Sequence, residues 1–215
     1  MTSALEHRSL REMIVEDLRG RILGKSLAPG AKVDVPGFAA AYGVSPGSVR
    51  EAIIVLQAEG LVRVNPRRGI TVRTLTSDDL LEIYEVREVI DTAAACQLVA
   101  RVDSTIASLV QAQQQIEQAW DSGGFTQGLE ADLRFHVLLS RLGGNSRMAA
   151  ISASLADQTR LHLQPVESVD ASIRDRPPTD LHLQIVEAIR SGDECRIRDS
   201  VADHYAFSRT RITHD

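Results

Sequence analysis

The chain has 215 residues, 43% of them hydrophobic and 25% charged, which is typical of a globular protein with one large or two small domains. No apolar run approaches the ~20 residues needed to cross a bilayer, and no signal-peptide core stands near the start, so we expect no membrane association. The two cysteines, Cys96 and Cys195, both fall in helical patterns and imply no disulfide framework, which favours a reducing cytoplasm.

Charge is distributed unevenly along the chain. The net charge is −5, but residues 1–75 carry 11 Lys and Arg against 7 Asp and Glu. Residues 76–215 are therefore strongly acidic. A basic first third joined to an acidic remainder predicts one module that contacts phosphate and a second module with a different task.

The first module begins with a predicted helix over residues 5–24, whose apolar residues recur at helical spacing. A short apolar helix over 38–42 and a Gly-Val turn then lead to Ser45, a natural helix N-cap, with Pro46 at the first helical position. The helix that follows carries its apolar residues at three- and four-residue spacing, so one side of it is buried. Two helices joined by such a short turn predict a helix-turn-helix.

Two short alternating stretches, 61–65 and 70–73, predict a pair of strands after the helix-turn-helix. They are joined by Pro66-Arg67-Arg68-Gly69. A basic hairpin at this place is typical of a wing that touches phosphate or enters a minor groove. The module ends near residue 75, where Ser77 is a plausible N-cap for the next helix and acidic residues follow in its first turn.

From residue 77 onward the sequence shows only helical periodicity, interrupted by glycine- and proline-rich breaks. We predict six helices, over about 77–101, 103–121, 125–142, 146–165, 177–191 and 193–212. The predicted fold is therefore mostly α, with a winged helix-turn-helix over 1–75 and a six-helix antiparallel bundle over 76–215.

Four side chains in the second module form a candidate metal site. Asp132 and His136 lie four residues apart and project from one helix face, while His182 and His204 lie on two further helices. Three imidazoles and one carboxylate suit a divalent ion such as zinc, nickel or manganese, and bundle cores are where such sites are built. The alternative is that these are ordinary surface or core-edge histidines, since Asp/His pairs at this spacing are common.

The first module resembles the winged-helix DNA-binding domain of the GntR family of bacterial transcription regulators. The matching pieces occur in order and with the family's gaps: Gly43-Val44-Ser45, Val49-Arg50-Glu51-Ala52-Ile53, Glu59-Gly60-Leu61-Val62 and Arg67-Arg68-Gly69. The family usually carries an arginine directly after the turn serine, where this chain has Pro46. Arg50 is consequently the one arginine of the predicted recognition helix. The family's usual operator sequence is therefore not predicted for this chain.

The second module resembles the helical effector-binding FCD domain of the FadR branch of that family, in its short, VanR-like, six-helix form. The matching pieces are Tyr84-Glu85-Val86-Arg87, the segment Asp132-Leu133-Arg134-Phe135-His136, Gly144-Asn145, His182 with Ile185, Ala188 and Ile189, Gly192-Asp193, and His204. This resemblance implies that Asp132, His136, His182 and His204 coordinate a divalent metal.

The same resemblance places Arg87 on a helix that lines the metal-bearing cavity, where it can pair with the carboxylate of an effector. Arg134 and Asn145 are further candidate effector-binding residues. For Arg87 the alternative is a structural salt bridge with Glu82, Glu85 or Asp91. For Asn145 the alternative is a residue in left-handed conformation at the end of a helix.

These patterns together predict a ligand-responsive transcription regulator and no enzyme. The resemblance implies a homodimer on paired half-sites of double-stranded operator DNA, a small carboxylate effector, and repression as the family default. Arg50 is expected to contact base edges; the other predicted DNA contacts are Ser45, Ser48, Arg67, Arg68 and Gly69. One alternative function is a metal-dependent hydrolase whose Asp/His site activates water. Another keeps DNA binding and makes the metal purely structural.

Overall fold

The computed structural model describes residues 9–67, 69–163 and 180–212. The chain divides into two compact units, Met1–Thr74 and Leu75–Asp215. The described residues form eight α-helices, one 3₁₀ turn and one two-stranded sheet, so the predicted mostly-α class with a winged helix-turn-helix is confirmed.

The first unit contains three helices and a hairpin: α1 (Leu10–Leu23), α2 (Val35–Tyr42), α3 (Pro46–Ala58), β1 (Val62–Asn65) and β2 (Gly69–Val72). The helix predicted over 5–24 corresponds to α1, and residues 5–8 of that prediction lie outside the described residues. Ser9 has extended backbone angles and forms a capping box with Glu12, so the helix begins at Leu10.

The core of the first unit lies between α1 and α3. Val49, Ala52, Ile53 and Leu56 of α3 are at most 1% exposed, and they share this core with the buried face of α1. Because these residues recur every three to four positions, they form one stripe and leave the opposite side of α3 in solvent. Arg19, on α1, forms an ion pair with Glu59 at the end of α3, in which Arg19 Nη2 lies 2.6 Å from Glu59 Oε1.

The hairpin pairs antiparallel, from Val62 opposite Val72 to Asn65 opposite Gly69. Gly69 has a φ of 82°, a left-handed conformation that a glycine adopts without strain at the tip of this basic turn. The segment before α2 joins the edge of the hairpin, because Val33 N–H donates to the Ile70 carbonyl at 2.9 Å. The predicted wing is therefore a hairpin braced by a third extended segment.

The second unit is built from α4 (Ser77–Leu98), the 3₁₀ turn Val99–Arg101, α5 (Val102–Leu142), α6 (Ser146–Leu163), α7 (Asp180–Ser191) and α8 (Glu194–Thr210). Thr76, rather than the predicted Ser77, is the N-cap of α4, and Asp79 completes its capping box. None of the described helices combines the length and apolar character that a membrane crossing requires.

Two predicted helices, 103–121 and 125–142, are the two halves of α5. The break falls at Gly124, whose φ of 59° and ψ of −150° are not helical. Only glycine adopts these angles readily, so the break predicted from the Gly-Gly pair is a sharp kink in one long helix. In the core of the unit α5 packs against α4, α6 and α7, and both α4 and α7 pack against α8.

Candidate metal centre

Four side chains from three helices converge in the core of the second unit. Asp132 and His136 lie one turn apart on α5, His182 lies on α7 and His204 on α8. One ligand atom of each lies within 4.8 Å of the other three. His182 Nε2 is 3.0 Å from Asp132 Oδ1 and 3.3 Å from His136 Nε2. The structure thus brings together the whole predicted set.

The donor set fits a divalent ion. The three imidazoles are buried, with 1%, 2% and 6% exposure for His136, His182 and His204, and their ring centres lie 4.6 to 5.3 Å apart. Within the described residues, the buried Nδ1 of His204 has no hydrogen-bond partner. Among the described residues there are too few hydrogen-bond donors for these imidazole lone pairs. A zinc-like ion binds such lone pairs, and three nitrogens with one oxygen form a common ligand set.

Asp91, on α4, orients one of these ligands, and sequence reasoning missed that role. It is 1% exposed, and its Oδ2 accepts a hydrogen bond from His136 Nδ1–H at 2.6 Å. Tyr205 OH donates to the same oxygen at 2.5 Å, and Ser140 Oγ donates to Oδ1 at 3.5 Å. A proton held on Nδ1 leaves the Nε2 lone pair of His136 directed at the centre, as in carboxylate–histidine–metal arrangements.

The electrostatics of the centre favour metal-binding protonation states. Burial lowers the pKa of His182, and burial together with the neighbouring imidazoles lowers the pKa of His204 well below its usual value. For Asp132, burial raises the pKa, but the hydrogen bond from His182 and the attraction of the imidazoles outweigh it, so the pKa is lowered overall. At neutral pH these histidines offer lone pairs and the carboxylate is ionised, which is what ligation requires.

Arg87 lies beside the centre as a buried cation. It is 4% exposed, and its guanidinium carbon lies 5.7 Å from the ring centre of Tyr84 and 5.6 Å from that of Tyr205. Among the described residues it forms no ion pair, so the structural salt bridge considered for it is not present. Burial lowers the pKa of this guanidinium, but nearby Tyr205, Asp132 and Asp91 raise it overall, so this side chain is a cation. A planar guanidinium can pair with a carboxylate through two parallel hydrogen bonds.

The other two candidate effector residues lie elsewhere. Arg134 is exposed and lines a separate surface groove between α5 and α6. Asn145 is the N-cap of α6: its Oδ1 accepts from the backbone N–H groups of Arg147 and Met148 at 3.1 and 3.2 Å. The left-handed residue of that turn is Gly144, with a φ of 88°, so the left-handed conformation considered for Asn145 is wrong. Neither Arg134 nor Asn145 is among the residues that line the pocket beside the ligand set, and their contact with an effector stays a prediction.

A pocket of about 630 Å³, counted with its open mouth, adjoins the centre. Asp132, His182 and His204 line one part of it. The rest of the wall is mostly apolar and aromatic, with Tyr84, Trp120, Phe125, Leu129, Phe207 and Ile212 among its residues. Sequence reasoning missed this wall because the Gly-Gly pair predicts a break in α5 but not the direction in which the first half of the helix leaves it.

The predicted DNA-contacting residues lie in the first unit. Arg50 is exposed on α3, and Arg67 is exposed at the hairpin tip, where its backbone N–H donates to Asn65 Oδ1. Ser45 caps α3 by accepting from the Ser48 backbone N–H at 3.1 Å, and the two hydroxyl oxygens are 3.0 Å apart. Gly69 is exposed at the hairpin, and Arg68 lies outside the described residues.

Two family models match the chain. The model described as "FCD domain" matches residues 82–207, and the model described as "Bacterial regulatory proteins, gntR family" matches residues 10–72. Among curated relatives, the HTH-type transcriptional regulator YdhC of Bacillus subtilis is 22% identical over 92% of this chain and 88% of its own length. The HTH-type transcriptional repressor RspR of Escherichia coli is 25% identical over 91% of this chain and 85% of its own length.

Solved structures show the same fold. A putative transcriptional regulator GntR from Rhodococcus sp. RHA1 superposes with a TM-score of 0.75 at 23% identity, covering 95% of this chain and 98% of that one. McbR/YncC of E. coli superposes with a TM-score of 0.74 at 21% identity, covering 94% and 96%. At such identities the likeness extends to the fold alone.

Proposed function

Because this chain belongs to the GntR family of bacterial transcription regulators, with an FCD effector domain, we propose that a small carboxylate bound at an Asp/His metal centre controls its binding to operator DNA. The observation that carries the proposal is the convergence of four ligand atoms within 4.8 Å, next to a pocket and a buried arginine. Repression, as a homodimer in the cytoplasm, is the mode we propose.

In this proposal Asp132, His136, His182 and His204 hold a divalent ion, with zinc, nickel or manganese the candidates. Held there, such an ion would act as a Lewis acid that can bind an oxygen ligand. Asp91 fixes the ring of His136 through the Nδ1–Oδ2 hydrogen bond, so that this ligand needs little reorganisation when the site is occupied.

Arg87 is the proposed partner of the effector's carboxylate. Its guanidinium is held beside the centre by Tyr84 and Tyr205, and a planar guanidinium matches a carboxylate with two parallel hydrogen bonds. Among the described residues Arg87 forms no ion pair, and it would attract a carboxylate more strongly than an exposed arginine would, because little water screens the two charges.

DNA contact is assigned to the exposed side of α3 and the tip of the hairpin. Arg50 would contact a base edge, guanine most naturally, and Arg67 would contact phosphate beside the wing. Ser45 and Ser48 stand at the start of α3, where backbone N–H groups and hydroxyls suit a phosphate. A homodimer follows because one winged helix reads one half-site.

The test is fluorescence anisotropy of the full chain on its own upstream DNA, across a salt series, before and after chelation. We expect saturable binding to one segment with a steep salt dependence, and an effector response that chelation removes and added zinc restores. Weak binding to every duplex would refute the regulator mechanism. Chelation that lowers the melting temperature and leaves the effector response intact would instead make the metal purely structural.

A further inference from the structure

The pocket beside the metal centre carries information about what binds there. Among the described residues that line it, the polar ones besides the three ligands are Tyr84, Ser208 and Arg211. The Ser208 hydroxyl already donates to the His204 carbonyl at 3.0 Å, and the Arg211 guanidinium stacks on Phe207 with its carbon 5.5 Å from the ring centre. The remainder of the wall offers aromatic and aliphatic surface.

Such a wall disfavours strongly hydroxylated ligands. A sugar acid would lose the water around its hydroxyls on entering and would find few partners, which is unfavourable. A short dicarboxylate would find one cation in the described wall for its second charge, Arg211, whose guanidinium already stacks on Phe207, and it would leave most of the aromatic surface uncovered. A carboxylate with an apolar body would instead bury that body against Trp120, Phe125 and Phe207.

Trp120 packs closely against two neighbours in the pocket wall. Its ring meets Phe125 edge to face, with centres 6.0 Å apart. In an unbroken helix, side chains five residues apart point about 140° away from each other, so this pair depends on the kink at Gly124. The indole also lies on Gly128, where an added Cβ would stand 2.3 Å from its Cε2. The glycines on either side therefore fix the position of this ring.

The indole N–H of Trp120 lacks a hydrogen-bond acceptor among the described residues. This Nε1–H group is also buried. A buried donor without an acceptor is unfavourable, and buried Trp N–H groups usually find a partner. The pocket that this residue lines is where a bound molecule can supply one.

We propose that the effector is an aromatic or similarly flat apolar carboxylic acid with a hydrogen-bond acceptor on its body, which accepts from Trp120 Nε1–H. This rests on the proposed function for the position of the carboxylate, at the end of the pocket that Asp132, His182 and His204 line. The aromatic wall binds the body, and Trp120 selects among such acids by its single donor.

The chain contains one tryptophan, so its fluorescence reports on this pocket alone. The metal-loaded full chain is titrated with benzoate, the three methoxybenzoate isomers, succinate and gluconate, by fluorescence and by calorimetry. We expect benzoate to bind at least tenfold more tightly than succinate or gluconate. One methoxybenzoate isomer should bind roughly 3- to 10-fold more tightly than benzoate, the gain of one neutral hydrogen bond.

The variant Trp120→Phe keeps an aromatic wall and removes the donor. By calorimetry the ratio of methoxybenzoate to benzoate affinity should fall to about 1 in this variant, whatever the change in benzoate affinity itself. Succinate or gluconate binding as tightly as benzoate would overturn the proposal, as would a methoxybenzoate advantage that survives in the variant, or no binding of any aromatic acid. Metal content and operator binding are measured on the same samples, so that a failure of the regulator mechanism is recognised separately.

Discussion

His136 and Asp91 are 45 residues apart in the chain and are joined by an Nδ1–Oδ2 hydrogen bond of 2.6 Å in the buried core. Asp91 belongs to α4, the first helix after the DNA-binding unit in the sequence, and His136 belongs to the proposed ligand set on α5. The bond therefore connects the metal centre to the element through which the chain continues from the winged helix. Tyr205, on α8, donates a hydrogen bond to the same carboxylate, so this helix is joined to it as well.

Replacing Asp91 with Asn tests this relationship. The amide cannot accept from His136 as a carboxylate does, so the ring loses its fixed tautomer and part of its basicity. We expect metal affinity to fall by about 10- to 100-fold. Competition with a coloured chelator measures it. Glu85→Gln is the matched control, because it removes an exposed carboxylate from the same helix. Equal affinity in the two variants would show that Asp91 does not act on the metal.

The metal-free protein should lose stability as the pH falls below about 6.5. His182 and His204 have pKa values lowered by burial from 6.5, so the unfolded chain binds protons before the folded one does. The stability that their neutral forms provide is present above the unfolded pKa and declines as the pH falls toward the lowered folded values. Urea unfolding at pH 7.5, 6.5 and 5.5 measures it. The variant His204→Gln should show a weaker dependence, and a flat profile in the parent would contradict the explanation.

Local signals accounted for the predictable part of the structure. Ser45 and Pro46 mark the start of α3 because the cap and the first helical position have strong chemical preferences, and Gly69 marks the hairpin because of its positive φ. Asp132 and His136 were recognised together since helical spacing alone places them on one face. Family resemblance supplied the ligands on the other helices.

The contacts that the sequence did not predict depend on how distant segments of the chain pack together. Asp91 meets His136 only after α4 packs on α5, and no local pattern signals that contact. The position of Trp120 depends on the backbone angles at Gly124. The placement of Arg134 was predictable in part, because residues two apart on a helix point about 200° from each other, away from the face that Asp132 uses.

Arg87 should control the effector response without affecting operator binding. In Arg87→Gln the paired hydrogen bonds to a carboxylate are lost, and we expect the effector concentration for half-release of DNA to rise about 10- to 100-fold. Arg87→Lys keeps the charge and loses the planar fork, so it should fall between parent and glutamine variant. Anisotropy titrations with the effector measure both. An unchanged half-release concentration in Arg87→Gln would remove this residue from the site.

Replacing Arg50 and replacing Arg67 should weaken DNA binding in different ways. Arg50→Ala removes the one arginine of the recognition helix, so we expect specific binding to be abolished while weak nonspecific binding remains. Arg67→Ala should weaken binding to all sequences alike and reduce the salt slope by about 1, as expected for one lost phosphate contact. Arg134→Ala, which removes an exposed arginine from the effector unit, is the charge-matched control. Operator affinity unchanged in Arg50→Ala would overturn the assignment of α3 as the recognition helix, because no other arginine in it can read a guanine.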